Sequence, residues 1–418
     1  MKEVRVAIIG CGMISHRHMQ IYQNINSMAD RLGFRAKVVA CAGRSPEKLK
    51  AWGERYHFAE QDLYLDYREL LKRDDIDTVD VCVHNNLHVP ISIEVMKAGF
   101  DCYCENPAAA SWHDMNMMID CAEKLGRKFH AQMSSIMTPQ SRDARDMVRS
   151  GAIGTPYFVN LENCTNRRRP GYDLWDFSPD FYAKSVAGHG TTIDLGVYLI
   201  GQILFILDLP ELESVSGFAV QGMDDIDPKR LRRSDGFTVE DFSSGLAKFK
   251  NGMGFHILFS SAFNFNNYSQ TYILGSKGGL ELKNTDMAGG LLAMPNMRRM
   301  WGEAPSVTFH GEMNGRLVDT DLKSDYNDGV RNTTDPMNMI YNDNQIMWLA
   351  YKLGIIGEEE RYNTPDITRN MLLLTDGIFL SQELGRSVTA EEIKELSPAL
   401  YLKGEDLSFG HVNFDLDY

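Results

Sequence analysis

The strongest constraint on the fold is a glycine-rich turn that joins the first predicted strand to the first predicted helix. An apolar strand over 4–9 is followed by residues 10–15, which read GCGMIS. In such a turn the first glycine permits a tight bend, and the second lets backbone N–H groups approach a pyrophosphate at the positive end of a helix. Ser15 stands where a third glycine is usual, and its small side chain still permits close packing. The predicted dinucleotide-binding residues of this turn are Gly10, Gly12, Met13 and Ile14.

Alternating strand and helix patterns continue after this turn. Further strand patterns occur at 36–42, 77–83, 101–104 and 129–133. Helical patterns lie between them: one begins at Ser45, with Pro46 in its first turn, and another ends at Gly99. Such alternation predicts an α/β fold with a doubly wound parallel sheet. We therefore assign residues 1–132 to a dinucleotide-binding Rossmann domain.

A second domain is expected after residue 132, because the pattern changes there. Strands predicted between 155 and 282 follow one another with few long helices, and Asn251-Gly252 is a hairpin turn signal. We expect a C-terminal α/β domain over 133–388 with a largely antiparallel, open sheet. An irregular insertion is expected within it at 284–335, and a C-terminal extension at 389–418.

Composition and charge exclude several classes of partner. The formal net charge is −14, which argues against nucleic acid, and the arginine run at 167–169 is interpreted as a solvated loop. The sequence shows neither a signal-peptide pattern nor an apolar run of the ~20 residues that span a bilayer. A cytoplasmic protein without a membrane partner is therefore expected. The seven cysteines are expected to be reduced, and Cys102 and Cys104 lack the further ligands of a metal site.

The segment after the second predicted strand bears on the choice of cofactor. In NAD-binding domains an acidic residue at this place binds the ribose 2′-hydroxyl. Residues 41–45 read CAGRS and contain no carboxylate, whereas Arg44 and Ser45 are able to hold a 2′-phosphate. The sequence therefore favours NADP and leaves NAD open.

Several segments, taken together in their order and spacing, resemble the Gfo/Idh/MocA oxidoreductases, which include glucose-fructose oxidoreductase and inositol dehydrogenases. The resemblance covers most of the chain and is weakest in 284–335 and in the tail. The segments that carry it are 7–12, 84–88, 105–107, 150–154, 188–198 and 275–278.

The resemblance implies a sugar-like or polyol substrate that is oxidised or reduced at a carbinol carbon. It also implies a homo-oligomer, most often a dimer or tetramer, formed through the open sheet. The matched segments add Asn86, His88 and Glu105 to the residues expected at the cofactor.

Two departures from the family pattern bear on catalysis. The family's Glu-Lys-Pro motif reads Glu105-Asn106-Pro107 here, so a neutral amide replaces the lysine that contacts the reacting hydroxyl. An amide can hydrogen-bond a hydroxyl but carries no charge to lower its pKa. The usual Thr-Pro-Asn reads His84-Asn85-Asn86, which adds an imidazole. Asn106 and His84 are therefore expected to orient the substrate hydroxyl.

The family's Asp-x-Gly-x-His motif ends in tyrosine here, which resembles the glucose-fructose oxidoreductase type. If residues 194–198 are helical, Asp194 and Tyr198 are one turn apart and share a face. Tyr198, supported by Asp194, is predicted to take or return the hydroxyl proton. Its pKa of about 10 must then be lowered, and Lys184 and His189 are candidate cations by proximity in the sequence.

The predicted function is NAD(P)-dependent hydride transfer to or from a carbinol of a sugar, glycoside or polyol, including 3-oxidation of glycosides with a tightly bound cofactor. Tyr172 and Trp175 are candidate substrate-stacking residues, with core packing as the alternative. Two other functions stay open. Loss of the motif lysine is compatible with a catalytically silent dinucleotide-binding sensor or partner subunit, and a lyase or glycosidase can use the nicotinamide transiently.

Overall fold

The chain folds into two compact units, which are described separately. The computed structural model describes residues 1–194, 196–283, 306–323, 336–358, 360–407 and 410–418. The first unit comprises Met1–Gln132, Tyr341–Asp366 and Ala399–Tyr418. The second comprises Met133–Ile340 and Ile367–Pro398. The two later segments of the first unit were not part of the division drawn from the sequence.

The first unit contains a six-stranded sheet in which every strand is parallel to its neighbours. The strands lie in the order β3-β2-β1-β4-β5-β6. Strands β4 and β5 are buried along their whole length, as expected for the centre of a sheet with helices on both faces. The predicted doubly wound sheet is thereby confirmed. Its strands are β1 (Lys2–Ile9), β2 (Phe34–Ala42), β3 (Leu63–Tyr64), β4 (Thr78–Val81), β5 (Asp101–Cys104) and β6 (Phe129–Ala131).

The helices between these strands begin and end at residues with clear local roles. Ser45 caps the helix that follows β2 by accepting a hydrogen bond from the Lys48 N–H, and Pro46 occupies the first helical position, as predicted. Gly126, in the left-handed conformation, ends the helix before β6. The helices of this part are α1 (Met13–Ser27), α2 (Ala29–Leu32), α3 (Pro46–Tyr56), α4 (Tyr67–Leu70), α5 (Asn85–Lys97) and α6 (Trp112–Leu125).

The second unit contains a nine-stranded, largely antiparallel sheet in the order β14-β13-β12-β11-β7-β10-β9-β8-β15. Strands β7 and β10 pair in parallel, and the other pairs described are antiparallel. The predicted sheet type is confirmed. Its strands are β7 (Pro156–Cys164), β8 (Leu212–Val220), β9 (Phe242–Phe249), β10 (Gly254–Ser260), β11 (Tyr268–Gly275), β12 (Gly278–Lys283), β13 (Ser306–Met313), β14 (Arg316–Asp321) and β15 (Val388–Thr389).

The expectation of an irregular insertion at 284–335 is wrong for its central part. Strands β13 and β14 form a hairpin there and extend the sheet beyond β12. Residues 284–335 are rich in Met, Gly, Asn and Asp, which predicts an irregular segment. Backbone pairing of β13 with the edge strand β12 orders the central part instead. Residues 284–305 and 324–335 of the predicted insertion lie outside the described part of the chain.

The remaining helices and a small hairpin complete the description. The C-terminal extension contains a helix with a capping box and the hairpin of β16 (Gly404–Leu407) and β17 (Gly410–Asn413). The helices are α7 (Pro139–Arg149), α8 (Lys184–Ala187), α9 (Thr191–Asp194), α10 (Gly196–Ile206), α11 (Pro336–Lys352), α12 (Thr364–Leu384) and α13 (Ala390–Leu396). Among the described residues no single helix is long and apolar enough to cross a membrane. Residues 184–194 and 196–206 pass that test only together, with a bend of 48°.

The interpretation of the arginine run at 167–169 as a solvated loop is wrong for Arg168 and Arg169, whereas Arg167 is exposed. Arg169 is 1% exposed and its guanidinium donates to Asp173 Oδ2 at 2.7 Å and to Asp225 Oδ1 at 2.8 Å. It also lies over the ring of Tyr172, 4.7 Å from its centroid. Arg168 is likewise buried. Paired carboxylates permit the charge of Arg169 to be buried, and the sequence spacing alone does not reveal the pairing.

Replacement of the buried arginine should destabilise the second unit strongly. We expect Arg169→Met to lower the free energy of unfolding by about 3–5 kcal/mol, because it leaves Asp173 buried without its partner. The matched variant Arg167→Met removes a half-exposed arginine that pairs with Asp225 at 3.1 Å, and should cost less than about 1 kcal/mol. Chemical unfolding of both variants measures the difference, and equal losses would contradict the structural role of Arg169.

Candidate functional site

The glycine turn after β1 has the shape that its sequence predicts. Gly10 has φ 112°, and a Cβ atom there would lie 2.1 Å from the backbone oxygen of Cys82, so only glycine fits. A Cβ on Gly12 would meet nothing within 4 Å. Gly12 directly precedes α1, so the first N–H groups of a 15-residue helix border open space. This opening fits the pyrophosphate of a dinucleotide.

Ser15 and Met13 show how the rest of the turn is arranged. Ser15 is fully buried, donates to the Gly12 carbonyl at 2.6 Å and accepts from the Trp52 indole at 3.1 Å. Serine therefore fills the third position of the motif as a packed residue with satisfied hydrogen bonds. Met13 is 55% exposed beside the opening, and Ile14 is partly exposed.

A buried charged network ties α1 to the ends of β4 and β5. The His18 ring donates from Nδ1 to Asp80 Oδ2 at 2.7 Å and from Nε2 to Glu105 Oε1 at 2.6 Å. Tyr22 also donates to Asp80 at 2.7 Å. Burial lowers the pKa of His18, but Asp80 and Cys82 raise it by more, so that it lies well above its usual range. His18 is therefore an imidazolium held between two carboxylates.

The same network fixes the position of Asn106. The second oxygen of Glu105 accepts the backbone N–H of Asn106 at 2.8 Å. Both polar atoms of the Asn106 side chain are buried, and neither has a hydrogen-bond partner among the residues that the structure describes. A buried amide without partners costs free energy unless another group satisfies it. Asn106 therefore presents a donor and an acceptor just beyond the carboxyl end of β5, where parallel sheets bind ligands.

The predicted residues after β4 have different surroundings. The buried ring of His88 lies with Nδ1 2.7 Å from the Pro107 carbonyl and Nε2 3.1 Å from the Val83 carbonyl. Burial lowers the pKa of His88, so its neutral ring donates to one carbonyl and holds the turns after β4 and β5 together. His84 is half-buried at the start of α5, and the Asn86 carbonyl accepts the Leu402 N–H at 2.9 Å.

The two residues predicted to hold a 2′-phosphate both have partners in the fold. Ser45 caps α3 and donates to Glu47 at 3.0 Å. The Arg44 guanidinium forms an ion pair with Glu405 of the C-terminal hairpin. The positive charge expected after β2 is thus matched by a negative one.

In the second unit, the carboxyl group of Asp194 has a pKa that is raised toward neutral pH. Burial raises its pKa to about 6, Arg168 lowers it and Glu240 raises it. Glu240 itself accepts the N–H groups of Gly190 at 2.8 Å and Thr192 at 3.0 Å, and so anchors the start of α9. A carboxyl group with a pKa near 6 is able to accept a proton at physiological pH.

Asp194 and Tyr198 lie on either side of a residue outside the described part of the chain. Helix α9 ends at Asp194 and α10 begins at Gly196, while Leu195 lies outside the described residues. The one-turn spacing of Asp194 and Tyr198 therefore stays a prediction. Tyr198 is half-buried in the first turn of α10.

The two candidate cations near this segment differ in charge and exposure. The His189 ring stacks on Phe379 with centroids 3.8 Å apart. Burial, aided by Lys184, lowers the pKa of His189 to about 3. His189 is therefore neutral at physiological pH and does not supply the positive charge expected of it. Lys184 is exposed at the start of α8.

The two aromatic residues that were predicted to stack on a substrate differ in their exposure to solvent. Tyr172 is fully buried in a core cluster with Tyr182 and Phe237, and its hydroxyl donates to the Asp225 carbonyl at 3.2 Å. Core packing, the alternative reading, describes its position. Trp175 is 52% exposed, with the Arg232 guanidinium 4.3 Å from its ring centroid.

Sequence reasoning missed several groups that shape these sites. Each of these groups acts through a partner that is distant in the sequence. The missed groups are His18, Asp80, Arg168, Glu240 and Glu405. A histidine inside the first helix of a glycine-turn motif was a visible signal for His18. We find no local signal for the others.

Comparison with known proteins finds family matches in both parts of the chain. Residues 4–133 match a family described as "Oxidoreductase family, NAD-binding Rossmann fold", and residues 141–281 match the GFO/IDH/MocA C-terminal domain. D-glucoside 3-dehydrogenase of Escherichia coli (strain K12) is 25% identical over 291 residues, which are 67% of this chain and 77% of that protein. An NADP(+)-type scyllo-inositol 2-dehydrogenase of Bacillus subtilis (strain 168) is 24% identical over 239 residues, 56% of this chain and 67% of that protein.

A solved structure shares the fold over nearly the whole chain. Levoglucosan dehydrogenase in complex with NADH and levoglucosan superposes with a TM-score of 0.74 at 18% identity. The match covers 93% of this chain and 100% of that one.

The two glycines of the turn should respond differently to alanine. Gly10→Ala should lower the free energy of unfolding by about 3 kcal/mol or more, because the new methyl group meets a backbone carbonyl at a strained φ. Gly12→Ala should cost only about 1 kcal/mol as a helix N-cap, yet should weaken NADH binding at least about tenfold, since its methyl group enters the opening. Chemical unfolding and NADH titration measure both effects. Unchanged NADH affinity in Gly12→Ala would rule out the turn as the pyrophosphate site.

Proposed function

Because the chain belongs to the GFO/IDH/MocA oxidoreductase family, we propose that it is a nicotinamide-dependent dehydrogenase acting on a carbinol of a sugar, glycoside or polyol. The similarity to D-glucoside 3-dehydrogenase and scyllo-inositol 2-dehydrogenase supports this substrate class. Oxidation of a glycoside at C3, with a cofactor that stays bound between turnovers, is one form of this activity. When bound, the nicotinamide ring supplies the site that accepts or returns the hydride.

The observation that carries this proposal is the state of Asp194. A dehydrogenase must move a proton as well as a hydride, and the proton needs an acceptor whose pKa is near the working pH. Burial and Glu240 hold the pKa of Asp194 to about 6, against the opposing charge of Arg168. We therefore assign proton transfer to Asp194, with Tyr198 as a hydrogen-bonding partner of the substrate. The sequence alone predicts proton transfer by Tyr198 and a supporting role for Asp194, so the two roles are exchanged here.

The residues of the first unit fit the binding and orientation of the other components. The Gly12 opening and the N-terminus of α1 bind the pyrophosphate. Asn106 uses its buried amide to hydrogen-bond a hydroxyl or carboxamide, and the rigid Glu105 contact holds it in place. His84 stands near this edge as a further polar group. Without the motif lysine, the amide orients its partner but leaves deprotonation to a separate base.

The proposal also covers the cellular location, the assembly state and the partners of the enzyme. We assign the enzyme to the cytoplasm, as a homo-oligomer that associates through the open sheet and has neither nucleic acid nor a membrane as partner. Sedimentation or light scattering of the purified chain tests the assembly state. A monomer at micromolar concentration would contradict the oligomer.

The pH dependence of turnover tests the role of Asp194. With a panel of glycosides, sugars and polyols, kcat/KM should fall as the pH drops below about 6, because the protonated carboxyl group cannot accept a proton. Asp194→Asn should remove this acid limb and lower kcat by about 10²–10⁴-fold. Reduced-nicotinamide absorbance measures both.

A second variant distinguishes a base from a residue that only holds the fold. Because Arg168 lowers the pKa of Asp194, Arg168→Gln should move the acid limb to higher pH. Melting curves identify any loss of fold. An unshifted limb in folded Arg168→Gln, or full activity in Asp194→Asn, would transfer the role to Tyr198, for which Tyr198→Phe is the test.

A further inference from the structure

The end of β2 lacks the carboxylate that an NAD-binding domain needs, but the fold brings one there from the far end of the chain. Residues 41–45 carry no acid. Glu405, which is 361 residues beyond Arg44 in the sequence, forms an ion pair with the Arg44 guanidinium. Its side chain is 20% exposed and that of Arg44 is 47% exposed. The pair therefore stands at the surface of the edge where the adenosine ribose of a dinucleotide is bound.

The C-terminal segment that carries Glu405 is tied to the first unit at several points. The Leu400 N–H donates to Asp114 at 2.9 Å, and Lys97 pairs with Asp415 at 2.6 Å. Between these anchors the hairpin of β16 and β17 holds Glu405 in register. These contacts present Glu405 from a fixed backbone rather than from a free tail.

The path of this segment relates it to the glycine turn. The Leu402 N–H donates to the Asn86 carbonyl in the first turn of α5, the helix that follows β4, whereas Glu405 reaches Arg44, just after β2. In the sheet, β1 lies between β2 and β4. Residues 402–405 therefore connect the start of α5 with the residues after β2, and these two elements follow the strands on either side of β1. This is the region of a Rossmann domain that contacts the adenosine half of the cofactor.

We propose that Glu405 selects NAD over NADP. Its carboxylate, held by Arg44, accepts a hydrogen bond from the ribose 2′-hydroxyl, in the role of the acid missing after β2. This rests on the proposed function, because it requires the chain to bind a nicotinamide dinucleotide.

Charge is the physical basis of the selection. A 2′-phosphate brings a charge of about −1.5 to −2, and beside the Glu405 carboxylate it meets repulsion. The Arg44 charge that would attract the phosphate is already neutralised by the same carboxylate. The preference for NADP drawn from Arg44 and Ser45 alone is thereby reversed.

The test is a comparison of NADH and NADPH affinities, measured by calorimetry on the full chain. The wild type should bind NADH at least about tenfold more tightly than NADPH. Glu405→Gln should reduce this ratio about tenfold, because it weakens the ribose hydrogen bond and frees Arg44 for the phosphate. Asp417→Asn is the matched control, since it removes an exposed charge in the same C-terminal segment and should leave the ratio unchanged.

Arg44→Ala provides an independent arm. With Glu405 still present, NADPH should stay the weaker ligand, whereas a phosphate-binding Arg44 would make this variant lose NADPH affinity selectively. An equal ratio in Glu405→Gln and Asp417→Asn, or a wild-type preference for NADPH, would overturn the role of Glu405 while leaving the proposed function intact. Failure of the wild type to bind either nucleotide would overturn both.

Discussion

The buried imidazolium of His18 is the contact on which the dinucleotide edge of the first unit depends. It joins helix α1 to Asp80 on β4 and to Glu105 just after β5, with both ring nitrogens hydrogen-bonded. Burying these charges is tolerable only because they pair, and removal of one partner would leave the others uncompensated. These contacts hold helix α1, which begins at the glycine turn, and the turn that carries Asn106 in fixed positions relative to each other.

Glu105 links this network to the backbone of Asn106. Glu105 does not face a cofactor with free oxygens, since one binds His18 and the other binds the Asn106 N–H. It acts instead as a positioning residue for the buried Asn106 amide. In the second unit, burial raises the pKa of Asp194 to about 6, while Arg168 lowers it and Glu240 raises it. The proposed function accordingly assigns orientation to Asn106 and proton transfer to Asp194.

Local sequence patterns predicted the fold well. They predicted the candidate sites only in part, because those depend on contacts between residues that are distant in the sequence. The strand-turn-helix at Gly10, the cap at Ser45 and the strand alternation depend on neighbours in the sequence, and the structure bears them out. Strands β13 and β14 were missed because pairing with β12, rather than an apolar pattern, orders them. Arg44 is the clearest example. Its charge, considered alone, predicts a phosphate site, but its ion-pair partner lies 361 residues away. No local pattern reveals such a contact, which depends on the path of the whole chain.

The most direct measurement is mass spectrometry of the nucleotide after one turnover. The protein would be mixed with NAD and with glycosides or polyols deuterated at their carbinol carbons, under single-turnover conditions. Direct hydride transfer predicts one deuterium in the nicotinamide ring of the NADH formed, with transfer in the reverse direction from deuterated NADH. Nucleotide that binds but is recovered unlabelled across the panel, in both directions, would contradict dehydrogenase chemistry and favour a dinucleotide sensor or partner subunit. Label that enters the cofactor and returns to product, without net NADH, would instead identify a redox-assisted lyase or glycosidase.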